Sequence, residues 1–212
     1  MALASIPSGT TADETAQVMA IGVETLLAAK LYAWSDLRDD RRLPPRIPGV
    51  YAWFFRTAPP GVPCEGCVTR HGFTLLYVGI SPGRRVSREH LRSRIRYHFR
   101  GNAEGSTLRL SLGCLLAPLL GTTLLRVGSG RRLTFGPAEG RLTEWIAQNG
   151  RVAWVETEQP HALETELIRT LALPLNLDQN RHAFCAMLRG RRDDARKRAR
   201  QLPVESPETA RR

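Results

Sequence analysis

The chain has 212 residues, of which 42% are hydrophobic, so most of it is expected to form one domain with a core and terminal extensions. Its formal net charge is +11, carried mainly by arginine, whose forks hold phosphates through paired hydrogen bonds. A polyanion partner is therefore expected, nucleic acid before membrane. No export signal is visible, and the longest uncharged run, residues 110–125, is shorter than the ~20 residues of a membrane span, so we expect a cytoplasmic protein without a membrane segment.

An N-terminal helix and two strands are predicted in the first part of the chain. Helical spacing of apolar residues begins at Thr11 or Asp13, and a charged, proline-containing connector follows it. β-Branched and aromatic residues then predict strands at Gly49–Phe55 (GVYAWFF) and at residues 74–80 (TLLYVGI). A long loop rich in proline and glycine separates the two strands.

Helices dominate the remainder of the chain. The predicted elements are, in chain order, a helix capped by Ser87 over about residues 88–100, a helix over about 107–117, a helix ending at Gly150, a strand at 151–157, a helix starting at Pro160 and a basic helix starting near Arg181. The predicted fold class is α/β (α+β), with a small mixed or antiparallel three-stranded sheet flanked by helices. We place this domain at residues 46–180, after a helix and connector at 1–45 and before a basic helix and tail at 181–212.

Six polar side chains follow these elements in a recognisable order. Each of the first two strands carries a tyrosine, the next helix carries an arginine and a histidine on one face, and a later helix start and a post-proline turn add a carboxylate and an amide. The six are Tyr51, Tyr77, Arg94, His98, Glu164 and Asn176.

This order resembles the GIY-YIG nuclease superfamily, with GVY at 49–51 and YVG at 77–79 in the naming positions. LRSRIRYHF is similar to the arginine-bearing helix of that family, and ETELIRTLALPLN to its Glu…Asn segment. Valine replaces isoleucine in both naming motifs, a harmless exchange in a strand. The long loop between the strands and the segment 101–125 depart from the family pattern and leave the choice of substrate open.

The resemblance implies a metal ion and a phosphate clamp. One divalent ion, Mg²⁺ or Mn²⁺, held by Glu164 would polarise a phosphoryl oxygen and assist the leaving group. Glu166 is the rival ligand, but two residues further along a helix it faces away from Glu164. Arg94 would hold the scissile phosphate by two parallel hydrogen bonds that strengthen as charge develops.

The same resemblance implies a role in water activation for the remaining four residues. Tyr51 would orient the attacking water or take its proton. Because a phenol with a pKa of about 10 is a poor base, His98 would relay that proton or be the base itself. Tyr77 and Asn176 would position the water, the phosphate or Tyr51.

The predicted function is that of a metal-dependent DNA endonuclease, most similar in layout to the short, restriction-type members of the superfamily. The expected substrate is double-stranded DNA. Since one active site cuts one strand, a homodimer or sequential nicking would be needed to cut both. Arginines on the arginine helix and on the basic C-terminal helix are expected to contact phosphates, namely Arg92, Arg96, Arg100, Arg191, Arg192 and Arg196.

Two other classes of function stay open at this point. One is a catalytically inactive nucleic-acid-binding protein that retains the fold, although a binder has no need of a metal carboxylate. The other is a zinc-stabilised interaction module built on Cys64, Cys67 and His71, although a structural zinc site takes four ligands and only these three are grouped here. The basic C-terminal helix has a plainer alternative too, as a solvated charged face.

Overall fold

Helices and short strands alternate along the chain, which a computed structural model describes over residues 12–83 and 89–206. The helices in these ranges are α1 (Ala12–Ala28), α2 (Trp34–Asp39), α3 (Leu91–Arg100), α4 (Thr107–Leu120), α5 (Ala138–Asn149), α6 (Pro160–Thr170) and α7 (Phe184–Gln201). The N-cap of α3 is His90, whose ring Nδ1 accepts a hydrogen bond from Ser93 N at 3.1 Å. The predicted cap Ser87 and start Arg88 lie outside the described residues, as does Thr11.

The strands form two sheets and confirm the predicted mixed α and β fold class. They are β1 (Gly49–Phe55), β2 (Thr69–Arg70), β3 (Phe73–Ser81), β4 (Leu125–Val127), β5 (Arg132–Thr134), β6 (Gly150–Glu156) and β7 (Val204–Glu205). The main sheet has the order β2-β3-β1-β6 with all neighbours antiparallel, so the three predicted strands are joined by a fourth, β2. The second sheet, β5-β4-β7, was not predicted, because its strands are two or three residues long and too short to show an alternating pattern.

Helices cover both faces of the main sheet, which explains why every residue of β1 is buried. Side chains alternate between faces along a strand. On one face they pack with α3, α4, α5 and α7, and on the other with α1 and α6. The first face receives Tyr51, Trp53 and Phe55, and the second receives Val50, Ala52 and Phe54.

The second half of β3 is bordered by the chain that follows α6. Among the described residues, β2 pairs with β3 only at Phe73 and Thr74. Further along, Leu175 N donates to Leu76 O at 3.1 Å. The Asn176 amide brackets Val78, accepting from its N–H and donating to its carbonyl, each at 2.9 Å. This segment is thereby fixed beside Tyr77.

The basic helix α7 is packed into the fold. Leu188, Ala195 and Ala199 on one side of it are buried in the same cluster as Tyr51. Its arginines are left on the other sides, as expected for an amphipathic helix. Within residues 12–83 and 89–206, no helix is long and apolar enough to cross a bilayer.

Candidate active site

The ring of Tyr51, on β1, packs over Gly79 on the neighbouring strand β3. In the register of β1 and β3, Tyr51 is opposite Gly79, and a Cβ atom built on Gly79 would lie 2.6 Å from the phenol oxygen. The first glycine of the GVY motif, Gly49, is confined by the backbone of Val155 on β6. Packing therefore requires both motif glycines, and Gly79 makes the space in which the Tyr51 ring fits.

The phenol of Tyr51 is hydrogen-bonded to a buried histidine. Its oxygen lies 2.7 Å from His98 Nε2, and His98 Nδ1 lies 2.7 Å from Ser106 Oγ. Burial lowers the pKa of His98 well below 6.5, and the positive charges of Arg94 and Arg109 lower it further. Burial also raises the pKa of Tyr51 well above 10, with a further increase from the neighbouring Tyr77. The pair is therefore neutral at neutral pH, with the imidazole behind the phenol.

A buried ion pair holds His98 in place. The Arg109 side chain is fully buried and its NH2 lies 2.6 Å from Glu139 Oε2. Its NH1 donates to the carbonyl of His98 at 3.2 Å, while Arg109 N donates to Ser106 Oγ at 3.0 Å. The segment 101–125, which the family pattern left unassigned, thus supports His98 through α4, and Glu139 of α5 completes the ion pair.

Arg94 is aimed at the Tyr51 side of the site by a tight loop. Its NH1 donates to the carbonyl of Gly105 at 2.7 Å. The loop is shaped by Asn102, whose Oδ1 accepts hydrogen bonds from the N–H groups of Glu104 and Gly105 at 3.1 and 3.3 Å. Arg94 lowers the pKa of Tyr51, against the larger effect of burial, so its charge is felt at the phenol.

Glu164 is a half-buried carboxylate that forms no ion pair among the described residues, whereas Glu166 is paired with Arg169. Burial raises the pKa of Glu164 to about 7, and the negative charge of Asp178 raises it further. Glu166 instead lies 2.6 Å from Arg169 NH2, and this hydrogen bond lowers its pKa. A carboxylate kept from its charged form in this way is stabilised by a nearby cation, so the site fits a metal ion at Glu164 rather than at Glu166.

The side chains meet in one open trough made of two adjoining cavities that share Tyr77 and Glu164. The first cavity, of about 640 Å³, is also lined by Tyr51, Arg94, Glu89, Glu104 and His161. The second, of about 370 Å³, continues towards α7 and is also lined by Asp178, Asp193, Arg189, Arg192 and Arg196. Tyr51, Tyr77, Arg94 and Glu164 therefore surround one space.

The positions of two predicted site residues narrow the roles proposed for them. His98 lies behind Tyr51 and is fully buried, so it reaches the trough only through the phenol. Both ends of the Asn176 amide are used by Val78, so this residue holds β3 and positions its neighbour Tyr77 instead of facing water or phosphate.

Two arginines that were expected to contact DNA hold the protein itself together. Arg92 Nε donates to the carbonyl of Pro44 at 2.7 Å, and Arg96 NH2 donates to that of Leu43 at 2.8 Å. Both lie on the face of α3 that is turned about 200° from Arg94, since each residue advances a helix by about 100°. They fasten the connector to α3 and are not free to bind phosphate. Arg100 and Arg191 are exposed and line neither cavity.

Residue selection from the sequence missed His161, which lines the trough one helical turn before Glu164. The signal was the spacing His-x-x-Glu at the start of a helix, which places two metal-ligating side chains on one face.

Cys64 and Cys67 carry free thiols in the loop between β1 and β2, and burial raises the pKa of Cys67 to about 11. Within the part of the chain that is described, no three His, Cys, Asp or Glu side chains are grouped as a metal site.

Comparison with protein-family models gives a match to this chain. A family model described as the GIY-YIG catalytic domain matches residues 49–198. That range contains Tyr51, Tyr77, Arg94 and Glu164 together with most of α7. No curated protein and no solved structure matches the chain.

Proposed function

The chain belongs to the GIY-YIG catalytic-domain family, a domain that indicates nuclease activity, and from this premise we propose that it is a divalent-metal-dependent endonuclease that hydrolyses DNA phosphodiester bonds. One observation carries the proposal. Tyr51, Tyr77, Arg94 and Glu164 line a single open cavity, although they come from four separate elements. A protein that only binds nucleic acid gains nothing from a carboxylate placed beside the phosphate.

Glu164 is the residue that would hold the ion, Mg²⁺ or Mn²⁺, for which carboxylate oxygen is a preferred ligand. The bound ion would polarise a phosphoryl oxygen and stabilise charge on the leaving oxygen. The raised pKa of Glu164, about 7, supports this assignment, because a cation would restore its charged form. We therefore expect the ion to bind more weakly below about pH 7.

Tyr51 is the group that would accept the proton of the attacking water. Its own proton has an acceptor in His98 Nε2 at 2.7 Å, and the neutral imidazole can hold the phenol in one orientation. Because burial disfavours the imidazolium form of His98, we assign His98 the role of relay and the phenol the contact with water. Arg94, beside Tyr51, would favour the phenolate as the proton leaves.

Arg94 is also placed to bind the scissile phosphate. Its NH1 group donates to Gly105 O, and the Arg94 side chain lines the trough. A fixed donor acts on the charge that appears on the phosphoryl oxygens in the transition state, where it is worth more than in the ground state.

The DNA strand would run along the trough and over α7. At the end lined by α7, three arginines (Arg189, Arg192 and Arg196) outnumber two aspartates (Asp178 and Asp193), which pair with Arg189 and Arg196. The end near Gly83 carries Glu89 and Glu104. Phosphates are attracted to the basic end. We therefore propose Arg192 and Arg196 as phosphate contacts next to the scissile bond, with double-stranded DNA as substrate and a second copy of the chain, or a second nick, needed to cut both strands.

The test is cleavage of mixed supercoiled, linear and single-stranded DNA by the purified protein with Mg²⁺ or Mn²⁺, followed by sequencing of the cut ends. Cleavage that needs the metal and is lost in Glu164→Gln supports the proposal. Tight DNA binding without any cleavage, under all metals and with all substrates, would instead favour an inactive nucleic-acid-binding protein that retains the fold.

A further inference from the structure

His161 is a histidine in the trough for which the proposed reaction has so far no use. It lies in the first turn of α6, three residues before Glu164, so the two side chains are neighbours on one helix face. Both line the cavity that holds Tyr51 and Arg94. An ion bound by Glu164 in that cavity would therefore have this histidine among the side chains around it.

The imidazole has an unused nitrogen. His161 Nε2 is buried, and within the described part of the chain it has no hydrogen-bond partner. Buried polar atoms are nearly always satisfied, because losing water without gaining another partner is costly. An orphaned ring nitrogen on a histidine that lines the same cavity as Glu164 is explained if the two side chains share a partner that the protein chain does not supply.

We propose that His161, through Nε2, is a second protein ligand of the divalent ion held by Glu164. This rests on the proposed function, since it assumes the ion at Glu164. A neutral imidazole and a carboxylate one helical turn apart are both ordinary ligands of first-row transition metals, and such paired spacing recurs in helical metal sites. The other buried histidine of the site is excluded as a ligand, because both ring nitrogens of His98 are already engaged.

The ligand set has a consequence for the choice of metal. Imidazole suits first-row transition metals better than Mg²⁺, which prefers oxygen ligands and keeps several waters. The site should therefore bind Mn²⁺ more tightly than Mg²⁺, and His161 should account for the difference. A His161 that bonded only to a phosphate of DNA would leave the metal preference unchanged.

The experiment measures binding of Mn²⁺ to the full chain without DNA, by titration calorimetry and by pulsed electron paramagnetic resonance. Coupling of a ¹⁴N nucleus to bound Mn²⁺ reports a nitrogen ligand directly and does not depend on activity. The variants are His161→Ala, His161→Gln and Glu164→Gln. The matched control is His71→Asn, an exposed histidine at a left-handed position (φ 50°), where asparagine is well tolerated.

We expect ¹⁴N coupling in the wild-type protein and in His71→Asn, and its loss in both His161 variants. Mn²⁺ affinity should fall by about tenfold or more in those variants, since even outer-shell changes cost about 10–100-fold. Mg²⁺ affinity should change much less. Thermal unfolding of the variants without metal confirms that they are folded.

Other results would overturn the inference. If the wild-type protein shows no ¹⁴N coupling, or keeps it in His161→Ala, His161 is not a ligand. If Glu164→Gln abolishes Mn²⁺ binding while His161→Ala leaves it unchanged, the inference fails and the proposed metal site stands. If Glu164→Gln binds Mn²⁺ as well as the wild type, or the wild-type protein itself does not bind Mn²⁺, the metal site of the proposed function fails too.

Discussion

The phenol oxygen of Tyr51 and Nε2 of His98 lie 2.7 Å apart in a buried part of the core. If His98 relays the proton that Tyr51 accepts, His98→Phe should lower the single-turnover cleavage rate by about 10²–10⁴-fold with little effect on DNA affinity. Tyr51→Phe should do the same. Because the two act in one step, the double variant should be no slower than the slower single variant.

The unfolding free energies of the variants test the hydrogen bond between Tyr51 and His98 independently of the cleavage rate. His98→Phe leaves the Tyr51 hydroxyl buried without its partner, which should cost about 1–3 kcal/mol in unfolding free energy, while the double variant should recover most of this loss. Rate losses that multiply in the double variant would show that the two residues act separately, and the relay would then be wrong.

Gly79 should tolerate no side chain. A Cβ atom there would lie 2.6 Å from the Tyr51 oxygen, so the ring or the strand must shift. Gly79→Ala should lower the unfolding free energy by about 1–3 kcal/mol and reduce cleavage strongly, because the displaced ring is the proposed water-activating group. The matched control is Gly83→Ala, where nothing lies within 4 Å. Equal effects of the two substitutions would show that Gly79 is not packed as described.

Glu164→Gln should stabilise the metal-free protein at high pH. The pKa of Glu164 is raised from 4.5 to about 7, so ionising it costs more in the folded than in the unfolded state. The ionised Glu164 therefore lowers the unfolding free energy of the metal-free wild-type protein. This effect is absent below pH 4.5, grows as the pH rises to about 7 and is then constant, reaching at most about 3 kcal/mol before solvent screening reduces it. Thermal unfolding in EDTA from pH 4 to 9 measures the difference between wild type and variant.

The control for this titration is Glu166→Gln. The pKa of Glu166 is lowered by its hydrogen bond to Arg169, so the sign is reversed, and any stability it contributes is lost as the pH falls. Added Mn²⁺ at pH 8 should stabilise the wild type and not Glu164→Gln. A pH-independent difference between wild type and Glu164→Gln would contradict the raised pKa.

The substitution Arg94→Lys tests whether Arg94 holds the phosphate through fixed hydrogen bonds or only contributes a positive charge. Lysine keeps the charge but loses the rigid fork, and it cannot hold Gly105 O and a phosphate oxygen in the same fixed geometry. We expect the cleavage rate at saturating DNA to fall by about 10²–10³-fold, or roughly 3–4 kcal/mol, with little change in affinity. Arg100→Lys on the same helix, which lies 5.9 Å from the Trp34 ring centre and outside the trough, should be nearly silent. If Arg94→Lys and Arg100→Lys both lower the cleavage rate only slightly, Arg94 contributes no more than one charge of a basic patch.

Salt dependence should identify the arginines that contact phosphates. Removing residues 189–212 would also remove buried Ala195 and Ala199, so single substitutions are the sharper test. Arg192→Gln and Arg196→Gln should each make the slope of log K against log salt shallower by about 0.9. Arg191→Gln, at an exposed position outside the trough, should leave the slope unchanged. If the slope of all three variants equals that of the wild type, DNA binds to another surface.

Local patterns in the sequence were sufficient to predict the three long strands, β1, β3 and β6, and four of the residues that line the trough. The apolar, β-branched run GVYAWFF predicted β1 at its observed bounds, because a strand buried on both faces appears as a continuous apolar segment. Tyr51, Tyr77, Arg94 and Glu164 were selected from their order along the chain, and the structure brings them to one cavity. Their catalytic roles stay predictions.

Side-chain partners far apart in the chain could not be predicted. Asn176 contacts Val78 across 98 positions, and no local pattern shows that both ends of its amide are used. For Arg92 and Arg96 a local signal did exist, since their helical spacing places them opposite Arg94. Arg109 stands almost alone as a charge in the apolar run TLRLSLGCLL, which indicates a buried ion pair once the partner helix is known.

The ion pair of Arg109 and Glu139 limits how this chain can change by mutation. Each partner is needed by the other, and Arg109 has no contact with solvent. Losing one alone costs about 3–5 kcal/mol, a large share of the roughly 5–15 kcal/mol that holds a domain together. Either single substitution therefore leads to a poorly folded intermediate, and only a simultaneous exchange of both for apolar residues avoids it. Among descendants of this sequence we expect the two positions to be inherited together or replaced together.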